Sequence, residues 1–229
     1  MYNKSLNSLL IYGGSFDPVH QGHLNTALAV QEGAHFERFL FLPCKQSLLK
    51  QPAQAGCTDR VNMLRLALAR YPEFTLDTYE ITRSGPSYMI ETLEYMRTQT
   101  SCNTAITLLM GLDSFIDLPL WQRWTEILSY CHLMILDRPN YCIDNLQPDL
   151  LALMHKHQTY NKNDLITSPC GYIYRFNAGE HAVSSSFLRT HMYSASDINR
   201  LMPESVIDYI KEHGLYQSHS PSDPKLSFD

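Results

Sequence analysis

Apolar residues fall along this chain in two alternating patterns. Short continuous apolar runs stand at Leu9-Leu10-Ile11, Phe39-Leu40-Phe41-Leu42, Phe74-Thr75-Leu76, Ala105 to Met110, Leu133 to Leu136 and Tyr172-Ile173-Tyr174. Runs this short, bounded by Gly, Pro or polar residues, read as strands buried on both faces. Between them apolar positions recur three and four apart. Examples are Leu24, Ala27, Leu28 and Val30, then Val61, Met63, Leu64 and Leu68, then Met89, Ile90, Leu93 and Met96. Trp124, Ile127 and Leu128 suggest another such segment, and Val206, Ile207 and Ile210 a last one. That spacing lays one apolar face along a helix. Punctuation supports the division: Pro43 stops the second run, Gly111 ends the fourth, and Pro203 and Gly214 bracket the last helix. Thr58 and Asp59 are the expected caps of the second helix and Ser87 of the third. The stretch from Asn140 to Ser168 reads least clearly, with a helix around Leu150 to His157.

Strand-helix alternation predicts an α/β fold, a doubly wound parallel sheet with right-handed crossovers. Ligands of such sheets bind beyond the carboxyl ends of the strands. The Gly13 turn, the Pro43 loop and the Gly111 loop should therefore meet at one edge. A length of 229 residues suits one good-sized domain or two small ones. The reading adopted is one domain over residues 1–216 and a frayed polar tail over 217–229.

Composition narrows the function classes. The net charge of −5 argues against a general nucleic-acid or membrane surface. No apolar run approaches membrane-spanning length, and Met1 to Asn7 lacks a signal-peptide pattern. The six cysteines, Cys44, Cys57, Cys102, Cys131, Cys142 and Cys170, include no C-x-x-C pair. Reduced thiols and a cytoplasmic location are expected. An acidic chain that binds anions must gather its positive groups locally.

One stretch does so. Tyr-Gly-Gly-Ser-Phe-Asp-Pro-Val-His-Gln-Gly-His-Leu, residues 12–24, is a strand end, a glycine turn and the mouth of a helix. Gly13 and Gly14 permit close backbone approach to a ligand. Pro18 fixes the entry and biases Asp17 toward extended geometry. His20 and His23, three apart, share one face of the first turn. Two imidazoles, free amides and the positive dipole end make a phosphate site. The plainer reading is a turn with two surface histidines. A zinc pair is a third, but no further ligand cluster at zinc spacing occurs.

Other stretches carry weaker local signals. Lys45 and Lys50 follow the second strand, as solvated lysines or as mobile cations on polyphosphate. Thr82 to Tyr88 is a Gly-Pro turn before a helix. Gly111 allows backbone approach, and Asp113 can accept from a ligand's hydroxyls. Trp121 offers a π face to a flat ring, and Trp124 is expected to pack in the core. Ser184, Ser185, Ser186 and Arg189 would form a second helix mouth with hydroxyls and a permanent charge.

Taken in order, these strings resemble a known family. Gly-Gly-Ser-Phe-Asp-Pro-Val-His-Gln-Gly-His is similar to the HxGH signature of the nucleotidylyltransferase superfamily. Val183-Ser184-Ser185-Ser186-Phe187-Leu188-Arg189 resembles its second signature, Ile-Ser-Ser-Thr-x-Ile-Arg, with Ser186 in place of Thr. Gly85-Pro86-Ser87-Tyr88 with Thr92-Leu93 resembles the bacterial nicotinate-nucleotide adenylyltransferase branch. So do Gly111-x-Asp113 followed by the Trp121 loop, and Arg138-Pro139. The chain departs at Ser47-Leu48-Leu49, where relatives carry Pro-Pro-His, and at Asn140, where many carry Gly.

The resemblance implies a Rossmann-like fold that joins ATP to nicotinic acid mononucleotide, giving deamido-NAD and pyrophosphate, with Mg²⁺ on the ATP phosphates. It implies ATP binding by Gly13, Gly14, Ser15, Phe16, His20, His23, Gly111, Asp113, Ser184, Ser186 and Arg189. Asp17, Lys50, Thr82, Tyr88, Trp121 and Arg138 would bind the mononucleotide. His20, His23, Lys50 and Arg189 would act on the reacting phosphates, with no metal ligand from the protein. Main-chain N–H groups near Thr82 and Trp121-Gln122 would select the acid over the amide. The alternatives are the same transfer to nicotinamide mononucleotide or another phosphomonoester, or a nucleotide sensor without catalysis. A dehydrogenase lacks its G-x-G-x-x-G here, and a P-loop enzyme its Gly-Lys-Ser/Thr.

Overall fold

The computed structural model describes residues 7–46, 49, 51–137, 146–179, 183–194 and 197–217. The expectations for Lys50, Arg138 and Asn140, and for the tail from residue 218 onward, lie outside the described residues. The strands are β1 (Ser8–Gly14), β2 (Arg38–Pro43), β3 (Phe74–Leu76), β4 (Ala105–Gly111), β5 (His132–Leu136), β6 (Gln158–Thr159) and β7 (Ile173–Phe176). They form one sheet, all parallel, in the order β3-β2-β1-β4-β5-β7-β6. The chain runs outward from β1 to β3, then returns to the other side of β1 with β4. That reversal between β1 and β4 opens a crevice at their carboxyl ends.

The apolar runs are continuous because both faces of the sheet are covered. Leu10, Tyr12, Phe39, Phe41, Leu109 and Met134 point to one face, and Leu9, Ile11, Leu40, Leu42, Leu108 and Ile135 to the other. Successive side chains on a strand alternate sides, so each run feeds two cores. Helices α1 (Gln21–Ala34) and α2 (Cys57–Leu68) cover the first face through Leu24, Ala27, Val30, Met63 and Leu64. The short α3 (Tyr79–Thr82) precedes α4 (Met89–Thr98), which with α5 (Leu112–Ile116) and α6 (Pro148–His157) covers the second. After α7 (Asp164–Thr167), helices α8 (Ser185–His191), α9 (Ile198–Leu201) and α10 (Glu204–Glu212) return to the first face. At the amino ends of the strands, Arg97 donates to the carbonyls of Thr104, Tyr130 and Pro169, tying the entries to β4, β5 and β7.

Several local expectations are corrected. Helix α2 begins at Cys57 behind Gly56, so Thr58 and Asp59 lie inside its first turn rather than capping it. Helix α4 follows Tyr88 without a side-chain cap. The Ser87 hydroxyl instead accepts from the Lys45 N–H at 3.3 Å. The segment Trp124–Ser129 forms 3₁₀ turns rather than an α-helix, with Trp124 half-buried against the second core. The sixth predicted strand is the seventh in the chain, because the two-residue β6 precedes it. The helix expected around Leu150 to His157 is α6.

Candidate active site

Helix α1 opens at the carboxyl end of β1, and its first turn sets both histidines. His20 is the residue before the helix and His23 the third within it. Their rings stack at 3.8 Å between centroids. The main-chain N–H of His20 donates to Nδ1 of His23 at 3.3 Å. An N–H can only donate, so Nδ1 accepts and the proton of neutral His23 sits on Nε2. His20 is buried, with 5% of its surface exposed. Gly22 makes that packing possible: a Cβ there would lie 3.0 Å from the His20 ring. Gly14 has a similar role, since its Cβ would meet the Phe16 ring at 3.1 Å. Phe16 itself is buried in the left-handed region, φ 48°.

Asp17 knots the mouth together. Its Oδ2 accepts from Gln54 N–H at 2.8 Å, and its Oδ1 from Ala55 N–H at 3.0 Å and from the Tyr216 hydroxyl at 2.7 Å. Arg189 donates through Nη1 to the Asp17 carbonyl at 2.7 Å and through Nη2 to Ser186 Oγ at 3.2 Å. Its Nε is buried with no partner among the described residues. Ser184 caps α8 by accepting from Phe187 N–H, as its position in the sequence suggests. Ser185 donates to the Pro18 carbonyl at 3.1 Å, which holds the second helix mouth against the first.

Two cavities meet at the crevice. The larger, about 620 Å³, is lined by every residue expected to bind ATP: residues 13–16, His20, His23, Gly111, Asp113, Ser184, Ser186 and Arg189. Asp17, Lys45 and Arg60 line it as well. The smaller, about 270 Å³, is lined by Tyr88, Met89, Leu120, Trp121, Gln122 and Glu80 among others. Gly13, Gly14, Ser15, Cys44, Gln46, Gly111 and Ser114 border both, so the compartments share a wall at the ends of β1, β2 and β4.

The structure does not bring Thr82 to either cavity. Its N–H and hydroxyl are spent on the Thr78 carbonyl within α3. The Trp121 N–H likewise donates to the Leu118 carbonyl at 2.9 Å. These two amides therefore do not supply the expected donors to a pyridine carboxylate. Arg83 pairs with Glu91, and Arg123 with Glu94 and Glu126, so neither arginine lines a cavity.

Some wall residues carry no signature that a sequence reading would single out. Glu80 is 2% exposed, and burial raises its carboxyl above the usual range against hydrogen bonds from Thr92 and Ser87. Burial also pushes the Cys44 thiol up to about 11, which favours its protonated form. Arg60 is 1% exposed and donates to the carbonyls of Ser15 at 2.7 Å and Lys45 at 2.9 Å. Its place four residues before Leu64, on the buried face of α2, was not read from the sequence as a signal.

Comparison with known proteins agrees with this geometry. Residues 11–198 match the family described as "Cytidylyltransferase-like". A protein of Legionella pneumophila (strain Corby) named "Probable nicotinate-nucleotide adenylyltransferase" is 38% identical over 212 residues, covering 93% of this chain and 100% of that protein. One of the same name from Methylococcus capsulatus (strain Bath) is 38% identical over 207 residues, covering 90% and 98%. A solved nicotinic acid mononucleotide adenylyltransferase of Plasmodium falciparum, complexed with NaAD, has the same fold at a TM-score of 0.66 and 20% identity, covering 92% of this chain and 97% of that one. The matched length, the order of the motifs and the paired cavities converge: this chain belongs to the nicotinate-nucleotide adenylyltransferase family of cytidylyltransferase-like enzymes.

Proposed function

We propose that the chain transfers the adenylyl group of ATP to the phosphate of nicotinic acid mononucleotide. The observation that carries this reading is the shared wall of the two cavities. ATP phosphates lie at the mouth of α1 in the larger, and the pyridine ring enters the smaller beside Trp121 and Tyr88. The reacting phosphates then meet along Gly13, Gly14, Ser15 and Gly111.

The chemistry needs little from the protein beyond charge and alignment. The second pKa of a phosphomonoester is ~6, so the mononucleotide phosphate is mostly dianionic at neutral pH and needs no strong base. One of its oxygens attacks the α-phosphorus of ATP. The bond from that phosphorus to the bridging oxygen breaks, and pyrophosphate leaves with the electron pair. His20 lies against the phosphates at the first turn. His23 donates from Nε2–H, and Ser184, Ser186 and Arg189 add hydroxyls and a permanent charge. Such preorganised donors act by positioning and electrostatic stabilisation.

A divalent ion, which we take to be Mg²⁺, screens the ATP phosphates when bound. The described residues hold no group of three or more His, Cys, Asp or Glu able to grip a metal alone. Asp113 lines the same cavity. That donor set suits an ion taking most ligands from phosphate and water.

The reading is tested with ATP labelled in the α-phosphate. With nicotinic acid mononucleotide, the label should pass to a product of the mass of deamido-NAD. Without acceptor, neither labelled protein nor exchange of pyrophosphate into ATP should occur. Stoichiometric labelling of the protein would overturn the direct transfer. No labelled dinucleotide from a folded preparation would overturn the activity.

A further inference from the structure

We propose that Arg60 is a positioning residue for the polyphosphate, holding a fixed positive charge behind the phosphate cavity and turning two wall carbonyls away from it. The proposal rests on the reading that this cavity takes ATP phosphates. Arg60 lines the cavity yet is 1% exposed. Its Nη1 holds the Ser15 carbonyl at 2.7 Å, and its Nη2 holds the Lys45 carbonyl at 2.9 Å and Cys57 Sγ at 3.4 Å. Its Nε is buried without a partner among the described residues. None of the ion pairs among the described residues includes Arg60.

A buried cation with neutral acceptors alone is costly to maintain. An anionic ligand lowers that cost each time it binds. The carbonyls matter as much. Ser15 and Lys45 both border the cavity, and a carbonyl oxygen facing phosphate would repel it. A guanidinium fork can draw two carbonyls inward at once, whereas an ammonium is a point charge that cannot span them in the same plane. Arg60 thus joins the turn after β1 to the loop after β2 with the charge on the side away from solvent. The chain as a whole is acidic, at −5, so this charge counts locally.

The test compares inorganic pyrophosphate, which is all charge, with adenosine, which has none. Binding of each is measured for the unchanged chain, Arg60→Met, Arg60→Lys and Arg65→Met. Arg65 is an exposed arginine on the same helix. Arg60→Met should weaken pyrophosphate by about 10-fold or more, a through-space loss expected of a partly screened charge. It should leave adenosine within about two-fold. Arg60→Lys should fall between, with a raised KM for ATP and a smaller change in kcat. Arg65→Met should change neither ligand. Equal losses for pyrophosphate and adenosine would mean simple damage to the cavity and overturn the proposal, as would unchanged pyrophosphate binding. Should Arg60→Met fail to fold, Arg60→Lys decides alone by the same comparison. If the unchanged chain binds adenosine but not pyrophosphate, the reading of the cavity falls, and the assignment of Arg60 with it.

Discussion

The hydroxyl of Tyr216 donates to Oδ1 of Asp17 at 2.7 Å, joining residues 199 apart in the chain. Two left-handed residues, Gly214 at φ 60° and Tyr216 at φ 59°, bring the ring back to the site after α10. Asp17 is also the residue whose carbonyl holds Arg189. The end of the described fold is thereby coupled to a cation that lines the larger cavity. Tyr216→Phe should lower stability by about 1.5–3 kcal/mol, the range for a hydrogen bond to a charged group. It should also lower kcat through Arg189. Thermal melts and initial rates on the same preparation check both, and unchanged values would show that Asp17 needs no such support.

His23→Ala removes a donor preorganised by the His20 N–H. Its cost should appear mainly in kcat, by roughly 100-fold or more, because the contact strengthens as charge moves to the leaving pyrophosphate. Near-normal turnover in a folded variant would withdraw His23 from the reaction.

Gly22→Ala tests the packing behind the histidines. The added Cβ would stand 3.0 Å from the His20 ring and 3.5 Å from the Val183 carbonyl. The helix itself should tolerate alanine, which favours helix over glycine. Activity should therefore fall while the far-ultraviolet spectrum stays unchanged. Full activity would show that His20 moves freely or is not needed.

The fold was legible where burial on both faces made long apolar runs, as at β1, β2, β4 and β5. It was illegible where an element is too short for any period, as at the two-residue β6. The cap of α2 was misread because the helix already begins at Cys57, behind Gly56, and that of α4 because Ser87 spends its hydroxyl on Lys45 and Glu80 rather than on its own helix. At the site, ordered local strings located the histidine and serine mouths and the Gly111 wall. Contacts between distant segments leave no local pattern, so the Tyr216 hydroxyl and the Arg60 fork went unread. Thr82 was expected at the pyridine but turns its polar groups into α3.

His132 gives a pH dependence away from the site. It is fully buried, with Nδ1 accepting from Tyr172 N–H and Nε2 against the Ser168 carbonyl. Burial pushes its pKa down from 6.5 to about 4. The unfolded chain takes up this proton first, so stability is complete above pH 6.5 and is lost as pH falls toward 4. The loss should be on the order of 3 kcal/mol. Melting temperatures measured across that window should fall for the unchanged chain. His132→Gln should be less stable at neutral pH but flatter below it, and parallel curves would contradict the assignment.

Adenylyl transfer to a pyridine mononucleotide held beside Trp121 is the activity proposed for this chain. It is tested most directly by initial rates of pyrophosphate release from ATP, with nicotinic acid mononucleotide and its amide supplied in parallel. A higher kcat/KM is expected for the acid, and a loss for both acceptors in Trp121→Ala, where the ring has lost its π face. Equal kcat/KM for the two acceptors, a preference for the amide, or rates indifferent to Trp121→Ala would contradict it.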